Sequence, residues 1–343
     1  MDILQKYFIK NELTLRRYRR FKKDKVAVFS VFVVLALIFI SCTAELWVNN
    51  RPHIMKYHGQ IYVPLIKDYH PSTFGFDEEF VTDYRKLQLE EGDWWIWPVI
   101  QWDPFESNKE LSEYPAPPTK QNWFGTDDRG RDVLTRLIYG LRYTLVYALA
   151  VWFLSYLAGC LAGALMGYAG GKVDLAGSRI VEVFESMPAF FVIITAVALF
   201  SPTLPLLIVI NVMFGWTPIS NYMRGQFLSL RKREYVEAAR AIGSSHWRII
   251  SKHIFPNALT PIVTFAPFTI AANVISLAYL DYLGLGLIPP TPSWGELLAQ
   301  AQKYFTIAEW LVWAPSGALL ITLTMLINIG LAVRDAFDSK ASI

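Results

Sequence analysis

The chain has 343 residues, 53% of them hydrophobic and only 18% charged, with a mean hydropathy of +0.30 and a net charge of +3. Soluble domains carry about 25% charged residues, so this composition argues against the two soluble domains that length alone would allow. So small a net charge gives no reason to expect a nucleic-acid partner. Cys42 and Cys160 both lie in apolar runs, where a disulfide framework is not expected, and both read as small buried hydrophobes.

Residues 1–25 form a basic tail, followed by an uncharged run from Val26 to Ala44. That run is longer than the apolar core of a cleaved signal peptide and fits a retained first transmembrane helix, placed at 26–48. A crossing needs roughly 20 apolar residues. Tyr143 to Gly171 supplies a second span. Ser186 to Met223 is uncharged over 38 residues and is interrupted by Pro202 and Pro205, so it is predicted to hold two spans joined by a tight turn. Ile254 to Leu280 and Trp310 to Val333 complete a count of six.

Orientation follows from the basic residues that flank the spans. The tail before residue 26 carries nine basic and three acidic side chains, residues 49–124 seven and twelve, and residues 224–253 seven and two. Both termini, including 339–343, are therefore expected in the cytoplasm, and residues 49–142 outside. That outer segment contains Trp94, Trp95, Trp97, Trp102 and Trp123 with His53, His58 and His70. It reads as a cap on the membrane surface with tryptophans in the interfacial belt, or as a docking surface for an outer partner. The histidine spacings lack a compact ligand pattern, and no metal site is expected.

Within the predicted core, 143–338, the cytoplasmic loop 224–257 is the most informative stretch. From Glu234 to Ile242, Tyr235, Val236, Ala239 and Ile242 share one helical face. Gly243 is placed to end that helix, and Ser244 or Ser245 to cap a second one. The second helix would present Trp247, Ile250 and Ile254 and stop at Pro256. Small Ala238 and Ala239 permit close backbone approach, and Glu237 can pair with a basic group, as a helix docking on a soluble protein requires. Periodicity alone favours an ordinary helical hairpin lying on the membrane.

Other motifs have simpler physical readings. Gly125 and Gly130 allow tight turns, and Asp127 and Asp132 can cap or pair with Arg129, Arg131 and Arg136. Asp127 and Asp128 as an acid–base pair is disfavoured, because adjacent residues rarely converge on one bond. Gly159, Gly163 and Gly167 recur every four residues in the second span, which suits close helix packing in lipid. Gly167 to Lys172 lacks the first glycine and the Ser or Thr of a phosphate loop, so no nucleotide site is expected on this chain. Asn211, Asn221, Asn273 and Asn328, with Pro218, Pro261, Pro267 and Pro315, are candidates for a pathway or for hydrogen-bonded and kinked helices. Asp281 is placed at an outer helix end, where its charge can stay wet.

Glu237-Ala238-Ala239, then Gly243, then His253-Ile254-Phe255-Pro256-Asn257, resembles the EAA loop of ABC importer permeases. Gly125-Thr126-Asp127-Asp128-Arg129-Gly130-Arg131-Asp132, and Pro292-Ser293-Trp294-Gly295 after Leu283-Gly284-Leu285-Gly286, are similar to outer stretches of dipeptide and oligopeptide permeases. The enlarged outer segment and Leu280-Asp281-Tyr282 resemble the branch associated with microcin C-type peptide uptake. The resemblance implies an all-α integral membrane protein of the ABC type I importer permease fold, with six helices and an enlarged extracytoplasmic segment after the first.

It further implies a subunit of the bacterial inner membrane with no catalytic residue and no cofactor of its own, ATP and Mg being bound on partner ATPase subunits. A second homologous permease, two ATPase domains, an extracytoplasmic substrate-binding protein and a peptide substrate are the implied partners. Glu237, Ala238, Ala239, Gly243, Pro256 and Asn257 would form the ATPase-coupling contact. A self-sufficient secondary transporter would usually show intramembrane charges or inverted repeats, and a membrane-anchored enzyme would need a catalytic constellation. Neither is evident.

Overall fold

A computed structural model describes residues 12–76 and 81–337. The expected cytoplasmic end, 339–343, and the first eleven residues of the tail lie outside the described residues. Helix α1 spans Glu12–Lys23 and α2 spans Lys25–Cys42. Asp24 separates them, and its Oδ1 accepts from the backbone N–H groups of Val26 and Ala27, both at 3.0 Å, which caps α2. A single turn, α3 (Ala44–Trp47), follows. The next elements are strands β1 (Ile54–Tyr57), β2 (Gln60–Tyr62) and β3 (Trp94–Ile96), with short 3₁₀ turns at Pro71–Phe74 and Tyr84–Lys86.

The long helix α4 runs Val133–Ala169, then α5 Gly171–Ser186, α6 Ala189–Leu199 and α7 Leu204–Leu230. Helices α8 (Glu234–Ala241) and α9 (His246–Arg248) lead through a π-turn at Ile249–Ile254 into α10 (Phe255–Tyr282). The last two helices are α11 (Trp294–Tyr304) and α12 (Trp310–Phe337). Among the described residues five helices are long and apolar enough to cross a membrane, or six if the pair α5 and α6, bent by 71°, makes one crossing.

That pair departs from the expected third span. Helix α6 has 11 residues, about 16 Å at 1.5 Å per residue, short of a 30 Å hydrocarbon layer. Pro188 stands at its N-cap, and α5 before it carries Asp174, Arg179, Glu182 and Glu185. The break near Pro202 is real: Thr203 caps α7, and Pro205 sits harmlessly in its first turn. Pro218 lies inside α7. The Phe214 carbonyl that it deprives of a donor accepts instead from Thr217 Oγ1 at 3.1 Å, so the helix continues.

The chain forms two compact units, and each has its own core. One holds residues 144–288 together with the helices up to Leu35 and from Leu320. Here α4 meets α7 through its glycines. A Cβ on Gly159 would lie 2.6 Å from the Trp216 carbonyl, and one on Gly167 2.6 Å from the Arg224 carbonyl, so the two backbones are in direct contact. Buried Cys160 belongs to this core. Cys42 is exposed at the end of α2 instead. Asp281 is also a correction: it is buried, its Oδ1 accepting from the Leu287 N–H at 2.6 Å. The turn after α10 folds back so tightly that the carboxylate serves backbone rather than water.

The other unit, Ala36–Tyr143 with Pro289–Leu319, contains a small antiparallel sheet of order β2-β1-β3. The α-helical class therefore carries a three-stranded addition within the segment after α2. A two-residue turn at His58 (φ 47°) and Gly59 (φ 77°) joins β1 to β2, as left-handed hairpin turns do. Met55, paired with Tyr62 and Trp95, faces a cluster of Phe74, Tyr84 and Leu87, whose rings meet edge to face. Trp102 is buried and donates to the Gln121 carbonyl at 2.9 Å. Trp94 and Trp123 remain exposed.

Candidate functional site

Two constellations gather the residues singled out from the sequence. The first lies in the unit that holds residues 36–143 and 289–319. Gly125 (φ 71°) and Gly130 (φ 76°) take left-handed conformations, which close a tight loop around Asp127. Its Oδ1 accepts from the N–H groups of Arg129 and Arg131, and its Oδ2 from Arg131 Nε at 2.7 Å. Thr126 is held by Ala116, through both backbone and Oγ1, and its carbonyl accepts from Trp310 Nε1 at 2.9 Å.

Asp132 caps α4, accepting from the Thr135 N–H at 2.7 Å and from Asn122 Nδ2 at 2.9 Å. Burial holds the Asp132 carboxyl above the usual carboxylate range despite these bonds. Asp128 is also raised, first by burial and then by the neighbouring Asp127 charge.

The second outer motif closes on the first. Pro292 precedes Ser293, the N-cap of α11, whose Oγ accepts from the N–H groups of Gly295 and Glu296. Trp294 donates Nε1 to the Leu137 carbonyl at 2.8 Å and packs on Gly140, where a Cβ would stand 3.0 Å from its ring. Glu296 then reaches Arg131 Nη2 at 3.0 Å and pairs with Arg136. Asp127, Arg131, Arg136 and Glu296 thus form a neutral cluster of two acids and two bases. The first three are at most 2% exposed. Buried charges persist only when paired in this way. Arg136 thus pairs with Asp127 as its position in the first motif suggests, and Glu296, directly after the second motif, joins the two. Trp310, which donates to the Thr126 carbonyl, has no such signal in the sequence.

The second constellation is the loop 224–257. Arg231, at the end of α7, donates to the Gly167 and Tyr168 carbonyls at 3.0 and 3.2 Å, capping α4 with a cation where its dipole is negative. Helix α8 has Glu234 and Glu237 in its first turn, matching the dipole again. It ends in a Schellman arrangement: Gly243 at φ 81° donates to the Arg240 carbonyl, and Ser244 to that of Ala239. A Cβ on Gly243 would touch nothing, so backbone conformation alone demands glycine there. Ser245 caps α9.

The apolar face expected on α8 divides. Val236 and Ala239 are buried against Ile249, Ile254 and Phe227, so Ala239 packs inward. Ile242 and Trp247 are 83% and 77% exposed, and Glu237 and Ala238 are exposed beside them. Pro256 does not stop the second helix. The chain stays helical from His246 to Tyr282, because the wider turn at Ile249–Ile254 just before Pro256 bonds the Phe255 N–H to the Ile250 carbonyl. Asn257 donates to the His253 carbonyl at 2.8 Å. With Leu230, Lys232, Arg233, Glu234 and Tyr235 it lines an open cleft of about 630 Å³. Among the described residues no three His, Cys, Asp or Glu side chains gather as a metal site.

A helical membrane protein with an exposed, capped helix pair after α7 can be compared with known transport components. The family model described as "binding-protein-dependent transport system inner membrane component" matches residues 159–342, more than half of the chain. The chain belongs to this family. The permease is 39% identical to the inner membrane ABC transporter permease protein YejE of Escherichia coli (strain K12), over 95% of this chain and 97% of that one. It is 34% identical to the peptidoglycan transport system permease protein YejE of Agrobacterium fabrum, over 95% and 93%. The oligopeptide transport system permease protein OppC of Bacillus subtilis is 32% identical over 68% of this chain and 77% of that one. Among solved structures, the MetNI methionine ABC transporter in an inward-facing conformation aligns with a TM-score of 0.49 and 21% identity, covering 59% of this chain and 97% of that one. The permease is a multi-pass inner-membrane subunit of an ABC transporter, in the family that holds the YejE, OppC and DppC proteins, and it is not itself an enzyme.

Proposed function

We propose that the permease forms half of the membrane pathway of an importer for peptides or peptide-like compounds, and that α8 and the turn after it receive force from a separate ATPase subunit. The observation that carries this reading is the exposed group Glu237, Ala238, Ile242 and Trp247, carried by α8 and the turn into α9, with the other face of α8 locked into the core by Val236 and Ala239. A lever needs one face to grip and one to transmit. ATP and Mg reside on the partner, consistent with the incomplete phosphate loop. A second, homologous permease, two ATPase domains and an outer binding protein complete the assembly. The counts of basic residues support a cytoplasmic side for α8 and the N-terminal tail and an outer side for residues 49–142.

Within the family, the microcin C-type branch is the finer part of the proposal. It is supported by the enlarged segment after α2. The YejE relatives align over 95% of the chain and OppC over 68%, so likeness to YejE extends through the enlarged segment. Co-reconstitution with the ATPase subunits and the binding protein tests the coupling. Glu237→Lys and Ile242→Asp should lower transport-coupled ATP turnover while the chain stays folded. If both variants associate and transport like the parent, the docking surface lies elsewhere. Uptake by the purified chain alone would favour a secondary transporter.

A further inference from the structure

Helix α1, directly before the first span, is built differently from the other described helices. Six of its twelve residues are Arg or Lys against one Glu. At 100° per residue, Arg16, Arg19 and Lys23 fall within one narrow sector and Tyr18 and Phe21 on the far side, with Leu15 and exposed Lys22 between them. The three basic side chains are exposed, and the three apolar ones are half-buried. Arg17 stacks its guanidinium on the Phe337 ring, 4.2 Å from the centre, which fixes the helix beside the end of α12. Asp24 interrupts the chain and caps α2 separately, so α1 is not simply the span continued into water.

What lies next to this surface is set by α2. Its Phe29, Phe32, Leu35 and Phe39 are each more than half exposed, around a helix with no charged residue after Lys25. An uncharged apolar helix of this length suits the hydrocarbon layer, and α1 begins where that apolar surface ends. An amphipathic helix at that depth lies in the interface plane, its aromatic side toward the acyl boundary and its basic side among headgroups. A basic cluster abutting a span selects headgroups of negative charge.

We propose that α1 is an interfacial anchor that binds anionic phospholipid headgroups through Arg16, Arg19 and Lys23. The inference rests on the cytoplasmic placement of the tail and is independent of the coupling proposal.

The test uses the full-length chain in detergent, with retention of added phosphatidylglycerol against phosphatidylcholine measured by native mass spectrometry. The parent should retain phosphatidylglycerol preferentially, and the preference should weaken as salt rises. In R16Q/R19Q/K23Q the preference should fall on the order of tenfold or more, whereas R16K/R19K should keep it. An unchanged preference in the glutamine variant overturns the proposal. So does loss of ATPase-subunit association with lipid preference intact, which would make the helix a protein contact. If the glutamine variant does not fold, the parent decides: a preference insensitive to salt overturns the proposal.

Discussion

Arg131 donates from Nη2 to Glu296 Oε1 at 3.0 Å, joining residues 165 apart in sequence. Arg136, fully buried, pairs with the other oxygen of the same carboxylate. One glutamate therefore neutralises two guanidinium groups, with Asp127 supplying the second negative charge. Such a cluster contributes little net stability compared with apolar packing, since desolvation consumes the Coulomb gain. What it does supply is a tie between α11 and the start of α4 in which each of the four charges meets an opposite one.

Removing the shared carboxylate should therefore be costly. Glu296→Gln leaves two buried cations facing Asp127 alone, and a loss of about 3 kcal/mol is expected, the typical cost of breaking a buried pair. Thermal unfolding of the purified chain in detergent measures it. The double variant R136M/E296Q should cost less than the sum of the two single changes, because the residues share one network. Strict additivity would show that the cluster does not act as a unit.

Asp128 gives the loop a pH dependence of known sign. Burial and the Asp127 charge raise its folded pKa, and its Oδ1 is buried without a hydrogen bond. A carboxyl raised on folding contributes its stability fully below the unfolded value, about 4, and loses it as pH rises through the folded value. Asp128→Asn should thus match the parent near pH 4 and be more stable at pH 7. Thermal midpoints at the two pH values decide. A difference that grows as pH falls would mean that the charged form is the favoured one.

Particular residues show what could be read from the sequence. The uncharged runs located α2, α4, α7, α10 and α12 because hydropathy is additive along a helix. The uncharged run does not reveal the shape of a sixth crossing, because 189–199 is the apolar end of a helix pair bent at Pro188 and makes a crossing only together with α5. The sheet was missed since its strands have three or four residues and β3 enters more than 30 residues after β2. The His58-Gly59 pair was the one local sign of its hairpin. On α8 the period of Val236 and Ala239 was legible, but a period does not say whether a face meets a partner or the chain's own core. Glu296 could not be paired with Arg131 and Arg136 from sequence, because nothing local encodes that distance.

The glycine seam between α4 and α7 predicts opposite outcomes for two small changes. A Cβ on Gly163 would stand 2.8 Å from Met223 Cβ and closer still to the Ser220 carbonyl, so Gly163→Val should destabilise the chain by about 1–3 kcal/mol through overpacking. Gly225, inside α7, has nothing within 4 Å of its Cβ position. Gly225→Ala should stabilise by roughly 0.5–1 kcal/mol through helix propensity. Thermal midpoints of the two variants, measured side by side, check both signs. Equal effects would show that the seam tolerates side chains.

The inward and outward faces of α8 should separate stability from coupling. Ala239 is 5% exposed within the core cluster, so Ala239→Leu adds volume to a filled space and should cost about 1–3 kcal/mol of stability, with any loss of transport following from that. Trp247 is 77% exposed, so Trp247→Ala removes few internal contacts and should leave the thermal midpoint nearly unchanged. If Trp247 seats in a pocket on the ATPase, as exposed tryptophans at interface centres do, the same change should weaken association by about 2 kcal/mol or more. Pull-down of the ATPase subunit together with the melting curve of the free chain gives both numbers. A Trp247→Ala chain that binds the ATPase as the parent does would move the contact off the Gly243 turn and onto the first turn of α8, where Glu237 and Ala238 lie.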